Sequence, residues 1–374
     1  MNIAVLISGG VDSAVVVDKL YREGHDLTLF YIRIGMDNDE GDCSAEEDIE
    51  MCSLIASRYE LPLRIVSLHQ EYWDYVMSYA LESVKKGLTP NPDMMCNKFI
   101  KFGFFEERYG KEFDKTATGH YARVETVGGK KFLATAVDRV KDQTDFLSAI
   151  SYSQLSRIMF PIGDMPKDEV RRLALEAKLP NAGRKDSQGI CFLGKIDYRE
   201  FIKRKLGTKK GEVIEIETGR QIGTHDGHWL YTIGQRKGLG LGGGPWFIVK
   251  KDVPFNTLYV SKGYDTPLQY KKVIPLEEIH WITLNPFTDK FTDKYLTEFK
   301  VETEGEREYA EIMFKIRHTP EFTNGKLEKS REGWTIYSDK EIQGVAPGQF
   351  ATIYTRDCRI CLGSAMIQNR ISKE

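Results

Sequence analysis

Apolar residues recur along this chain with two different periods, and the change from one to the other divides it. Up to about residue 200, short β-rich runs alternate with amphipathic stretches. That is the pattern of a parallel sheet whose strands are joined by crossover helices. Strands are expected at 3–7, 27–34, 63–68 and 115–118, and helices at 12–22, 45–59, 71–86 and 166–178. Gly24 and Pro62 act as stops and Asp164 as a cap for the last helix. After the basic run from Phe201 to Gly211 the helical period disappears. Strands are then expected at 213–216, 229–233, 246–251 and 257–261, and again at 296–302, 310–316, 334–337 and 351–354. The predicted fold is an α/β domain, a parallel sheet with helices on both faces, over residues 1–203. A central β domain over 204–275 and a C-terminal β-barrel-like domain over 276–374 follow it.

Composition narrows the class. The chain has 374 residues, 41% hydrophobic and 29% charged, as expected of several ordinary domains. Its first residues carry no basic leader and no apolar run is long enough to span a bilayer, so a cytoplasmic location without a membrane partner is expected. Six cysteines are too sparse to staple a chain of this size, so a disulfide would belong to a catalytic cycle rather than to the fold. The net charge of −2 excludes a generally basic nucleic-acid binder but leaves local basic patches open.

Ser8-Gly9-Gly10-Val11-Asp12-Ser13 follows the first strand and opens the first helix. Backbone N–H groups and the positive end of the helix dipole therefore converge where a phosphate would sit. Without a Gly-Lys-Ser/Thr ending it is not a Walker A loop. It resembles the PP-loop of ATP pyrophosphatases, which cleave ATP between the α- and β-phosphates. That resemblance implies ATP as cofactor, with Asp12 as a ligand for the Mg²⁺ that accompanies it.

Two thiols have suggestive surroundings. Cys96, in Asn91-Pro92-Asp93-Met94-Met95-Cys96-Asn97, is expected just before a helix rich in Lys98 and Lys101; Cys191 lies in a glycine-containing loop after Arg184 and Lys185. Both settings favour a lowered thiol pKa. Cys358 and Cys361 have no second ligand pair and read as two unconnected thiols, and Cys43 and Cys52 as structural. No permanently bound metal is expected.

Taken in order, the PP-loop, Asn91-Pro92-Asp93 with Cys96, Ala117 to Ala122, Lys141-Asp142-Gln143, Lys185 to Phe192, Tyr231 to Gly240, Pro347-Gly348-Gln349 and Cys361-Leu362-Gly363 resemble the tRNA-specific 2-thiouridylases, the MnmA or TrmU family. The resemblance spans nearly the whole chain. It implies ATP-dependent 2-thiolation of the wobble uridine in the anticodon stem-loop of tRNA, yielding 2-thiouridine, AMP and pyrophosphate. ATP would lie against Leu6, Ile7, Ser8, Gly9, Gly10, Val11, Asp12 and Ser13, near Ile32 and Gly119. Cys191 would carry a persulfide received from a sulfur-relay protein or a cysteine desulfurase. Cys96 would be the partner thiol, either liberating the sulfur or closing a transient Cys96–Cys191 disulfide. Asp93 would be the acid/base group beside the target base, with Asn91 and Pro92 shaping its pocket. Further tRNA contacts would come from His120, Lys141, Asp142, Gln143, Arg317, His318 and Gln349. Ala14, Thr144-Asp145, Gln188 and His318 depart from the family's usual residues without removing a reacting group.

Phosphate contacts are also open to Lys203, Arg204, Lys205, Lys209, Lys210, Arg236 and Lys237. Two other classes remain: a PP-loop enzyme that adenylates a small acid, and a non-catalytic RNA-binding protein on the same scaffold. The first needs neither paired cysteines nor a β-rich tail, and the second would have no use for Asp12, Asp93, Cys96 and Cys191.

Overall fold

The structure, a computed structural model, describes residues 1–35, 43–185, 198–264, 266–289 and 299–369. Five parallel strands, β1 (Asn2–Leu6), β2 (Asp26–Arg33), β3 (Leu63–Ser67), β4 (Lys115–Ala117) and β7 (Ile158–Met159), form the first sheet in the order β3-β2-β1-β4-β7. Side-chain alternation sends Ile3 and Val5 to one face and Ala4 to the other, and splits β2 into Leu27, Leu29 and Tyr31 against Phe30 and Ile32. The first face is covered by α1 (Val11–Arg22), α2 (Cys43–Arg58) and the helix Lys167–Glu176. The second is covered by helical runs over 69–85 and 92–108. Helices thus lie on both faces, as the period change predicted.

Burial on the second face does not stop at the first domain. Val213, Ile248, Leu258 and Val260 of a four-stranded sheet join the same apolar cluster as Phe30 and Tyr72. That sheet runs β10 (Trp246–Asp252), β11 (Thr257–Lys262), β8 (Gly211–Glu215), β9 (Gln221–His225). The strand expected at 229–233 is instead a single 3-10 turn, His228–Leu230. The reason is local: Gly227 takes φ +134°, and the His228 amide donates to Asn256 Oδ1 at 3.1 Å rather than to a neighbouring strand.

The third sheet is ordered Tyr270–Leu276, Gly333–Gln343, Thr323–Ser330, Arg307–Lys315, Phe350–Tyr354, Ile360–Met366, then β6 (Lys130–Ala134) and β5 (Arg123–Val127). Its last two strands are a hairpin from the first domain, paired as Ile360 with Ala134 and Cys361 with Leu133. Asp164 does not cap the helix Lys167–Glu176; its N-cap is Pro166, and Asp138 Oδ2 accepts from the Lys167 amide at 2.9 Å. Among the described residues no helix is long and apolar enough to cross a membrane.

Candidate active site

Strand order locates the site. The chain runs from β1 outward through β2 and β3, then returns to β4 on the opposite side of β1. Ligands of open parallel sheets bind outside the carboxyl ends of strands at such a reversal. Ser8 to Ser13 follow β1, Gly119 and His120 follow β4, and Ile32 is near the end of β2, so the expected nucleotide residues share one edge. Of the expected apolar residues, Leu6 and Ile32 pack in the cluster on one face of the sheet and Ile7 and Val11 in that on the other.

The loop itself is pinned by internal hydrogen bonds. Gly10 is the N-cap of α1 with no side-chain cap bond. Ser13 Oγ donates to the Gly10 carbonyl at 3.0 Å and accepts from the Ser8 amide at 3.2 Å, pinning both ends of the turn. Gly9 has φ +71°, and its carbonyl accepts from Asn181 Nδ2 at 2.9 Å and Arg184 Nη1 at 3.1 Å. A Cβ at Gly9 would lie 3.0 Å from the Asp48 carbonyl, and one at Gly119 would lie 2.9 Å from the Ser13 amide. Glycine at both positions lets three chain segments close around the helix terminus.

Asp12 is not idle. Lys167 Nζ lies 2.7 and 2.8 Å from its two oxygens, and the Tyr121 hydroxyl donates to Oδ1 at 2.9 Å. A cationic group therefore already sits opposite this carboxylate, which is the chemistry that Mg²⁺ carried by ATP would require there. Among the described residues no cluster of three or more His, Cys, Asp or Glu could hold a metal alone. Sequence reading missed Lys167 and Asn181 and gave no role at the loop to Tyr121, inside the Ala117 to Ala122 block, or to Arg184, noted only beside Cys191.

The helix bearing Cys96 starts one turn earlier than expected. Asn91 is the N-cap, its Oδ1 accepting from the Met94 amide at 3.1 Å, and Pro92 stands at the first helical position. Asp93 and Cys96 are three apart and so share one helix face. Cys96 therefore lies inside a helix rather than ahead of one, and at 2% exposed it packs in the same buried cluster as Ile32 and Ile34. From Cys96 to Phe104 the helix widens to π geometry, and Gln154 Nε2 donates to the Lys98 and Phe102 carbonyls at 2.8 and 2.9 Å. Such widened turns are frequent at functional sites. Lys101 Nζ is 3.5 Å from His120 Nε2, which ties this helix to the β4 loop. Burial and the Lys101 ammonium push His120 well below the ordinary imidazole pKa, so the ring is neutral.

The expected RNA contacts divide in two. Asp142 is 1% exposed, its carboxylate accepting from the Ala136 amide at 3.0 Å, Thr144 Oγ1 at 2.8 Å and Lys315 Nζ at 3.2 Å. The Asp142 side chain thus joins its loop to the third sheet. Gln143 Oε1 accepts from the Tyr121 amide at 3.0 Å and the Gln349 side chain accepts from the Ala346 amide at 3.3 Å. Both brace turns. Lys141, half-buried, donates its amide to Asp138 Oδ1 at 3.1 Å. Arg317 and His318 are exposed; Arg317 donates to the Gly344 carbonyl, and His318 Nδ1 lies 3.1 Å from Asp145 Oδ2. The Thr89 amide donates to the Pro347 carbonyl at 2.8 Å, so the turn at Gly348 sets the entry to Asn91-Pro92-Asp93.

Cys191 lies outside the described residues, which resume at Tyr198 after Lys185. Three other described thiols are poor nucleophiles: burial pushes Cys52 up to about 12, and it raises Cys361 well above the ordinary thiol value and Cys358 less so.

Comparison with known proteins agrees in extent and order. The "tRNA methyl transferase HUP domain" family matches residues 1–195, the "tRNA methyl transferase PRC-barrel domain" 199–262 and the "Aminomethyltransferase beta-barrel domain" 292–367. The chain is 56% identical over 369 residues to the tRNA-specific 2-thiouridylase MnmA of Parabacteroides distasonis, covering 98% of this chain and 99% of that protein. It is 55% identical over 369 residues to the MnmA of Porphyromonas gingivalis, again covering 98% and 99%. A solved 4-thiouridine synthetase–RNA complex with bound ATP is 16% identical, covering 52% of this chain and 45% of its own, with a TM-score of 0.32, an overlap too loose to bear on function. On these grounds the chain belongs to the tRNA-specific 2-thiouridylase MnmA family.

Proposed function

We propose that this protein is a tRNA-uridine 2-sulfurtransferase that uses ATP to replace the 2-oxygen of the wobble uridine with sulfur. Unactivated, the uracil oxygen is a poor leaving group. Its attack on the α-phosphate of ATP would release pyrophosphate and leave an O2-adenylated base. The uncapped amides of α1, with Lys167 and the serines of the loop, would hold the phosphates, and Mg²⁺ bound through Asp12 would offset their charge.

Sulfur transfer would then use the two thiols. The terminal sulfur of a Cys191 persulfide attacks C2, AMP departs, and Cys96 attacks the remaining S–S bond, leaving thiouridine and a Cys96–Cys191 disulfide. In the other order, Cys96 first frees hydrosulfide, which attacks C2. Either route consumes one persulfide from a sulfur-relay protein or cysteine desulfurase, and a thiol reductant regenerates the pair. Asp93, on the same helix face as Cys96, would move the proton at the base.

The observation that carries this reading is the packing of the Cys96 helix on the sheet edge that presents the loop, through Ile32 on one side and the Lys101–His120 contact on the other. The anticodon loop suits the site, because an unpaired base is cheaply extruded. Pyrophosphate release by the purified protein tests the assignment. It should require unmodified tRNA; release driven by small carboxylic acids without tRNA would instead indicate a small-acid adenylating enzyme.

A further inference from the structure

Away from the sheet edge, an open pocket of about 410 Å³ lies in the central β domain. Its wall is the glycine-rich loop 238–244, folded back so that Trp246 Nε1 donates to the Gly242 carbonyl at 2.9 Å. Arg236 and Tyr264 stand at its rim. Arg236 Nη1 donates to the Tyr264 hydroxyl at 2.7 Å with the guanidinium 5.7 Å from the ring centroid, and Phe247 meets the same ring edge-on at 5.7 Å. Tyr264 is thus a fixed platform, although 57% exposed. Lys262 Nζ lies 5.7 Å from the centre of the Trp246 ring. No carboxylate is among the residues lining the pocket.

A flat exposed ring, a guanidinium beside it and a loop of glycine amides suit one kind of ligand, a nucleotide with its base on the ring and its phosphate on the cations. Two sources share that chemistry, a residue of the tRNA and a free mononucleotide. Continuity favours the tRNA. Gly234, two residues before Arg236, is packed so tightly on the third sheet that a Cβ there would lie 3.1 Å from Gly344 Cα and 3.6 Å from Arg317 Nη2. The pocket therefore continues the surface on which Arg317 is exposed. We infer that the Arg236–Tyr264 pocket receives an unpaired nucleotide of the tRNA, as a second anchor separate from the thiolation site. This rests on the tRNA reading above.

Binding of unmodified tRNA tests it. Tyr264→Ala should weaken tRNA affinity by roughly five- to hundredfold, the usual range for a lost stacking platform, and Tyr264→Phe should retain most of it. Arg236→Gln should lower the slope of log affinity against log salt by about one. ATP affinity without tRNA should be unchanged in all three. In the ultraviolet-crosslinked wild-type complex, the peptide containing Tyr264 should carry a tRNA nucleotide, a readout that needs no variant. Wild-type affinity in Tyr264→Ala, or no crosslink at that peptide, overturns the inference. So does AMP binding that Tyr264→Ala abolishes while tRNA binding stays intact, which would mark a free-nucleotide site. Wild-type protein that binds no tRNA at all would sink the tRNA reading itself.

Discussion

Lys167 Nζ sits between the two carboxylate oxygens of Asp12, 2.7 and 2.8 Å away, although 155 residues separate them in sequence. Without nucleotide the ammonium is balanced by the loop's own acid. With nucleotide, on the proposed reading, it would turn to the phosphates. Replacing Lys167 by Met should weaken ATP binding about tenfold or more, in line with the loss of one charge-assisted hydrogen bond. Affinity for AMP, which lacks the outer phosphates, should hardly change. Calorimetric titration of both nucleotides checks this, and Lys167→Arg should recover part of the loss.

The buried pair Asp142–Lys315 joins two domains, with side chains 1% and 0% exposed. Lys315→Met would strand a carboxylate whose pKa burial already raises against the pull of Lys315. A loss of about 3–5 kcal/mol in unfolding free energy is expected, and most should return in Asp142→Leu/Lys315→Met. A raised folded-state carboxyl pKa penalises the fold once that group must ionise. The defect of the single variant should therefore grow as pH rises and shrink as it falls, which denaturant unfolding at several pH values would record.

How much of this was legible in the sequence depends on how local each signal was. The β1 to α1 turn with its glycine-rich loop is written in adjacent residues and is found where the pattern put it, whereas the Asn91 cap with Pro92, equally local, starts its helix a turn before the expected position. The partners that hold them are not adjacent. Tyr121, Lys167 and Asn181 reach the loop through tertiary folding; Lys167 and Asn181 look ordinary in their own segments, and the block holding Tyr121 does not show its partner. The hairpin 123–134 escaped notice although its own pairing is local, Val127 with Lys130 across Gly128-Gly129; what is distant is its attachment to Ile360–Met366. The burial of Asp142 was not legible, because a Lys-Asp-Gln motif shows charge but not the tertiary partner Lys315. At 229–233 an aromatic and β-branched run pointed to a strand, and the positive φ of Gly227 overrode it.

His318 offers a pH-dependent handle. Its pKa is raised above 6.5, chiefly by the hydrogen bond to Asp145, with burial pulling the other way. A group whose folded-state pKa is raised contributes fully below its unfolded value and loses that contribution as pH rises through the folded one. The raised pKa also keeps the imidazole positive past the ordinary value, so if His318 meets a phosphate, tRNA affinity should decline as pH rises through that raised pKa, above about 6.5. His318→Gln should flatten that profile, as filter binding across pH 6 to 9 would reveal.

Gly348 fixes the entry to the Asn91-Pro92-Asp93 turn. Its φ is +89°, and a Cβ there would lie 2.7 Å from Leu88 Cβ and 2.8 Å from the Thr89 amide. Gly348→Val should displace that segment and cut the thiolation rate by roughly tenfold to a hundredfold, the scale of a misplacement near 1 Å. ATP affinity should be preserved, because the PP-loop is braced elsewhere.

Mass analysis of nucleosides from tRNA incubated with ATP, a sulfur donor and either wild-type or Cys191→Ser protein tests the persulfide account most directly. Wild-type protein should convert the wobble uridine to 2-thiouridine. The Cys191→Ser protein should form none while still binding tRNA, and Cys96→Ser should likewise stop turnover. Full thiolation by the Cys191→Ser protein would contradict the account.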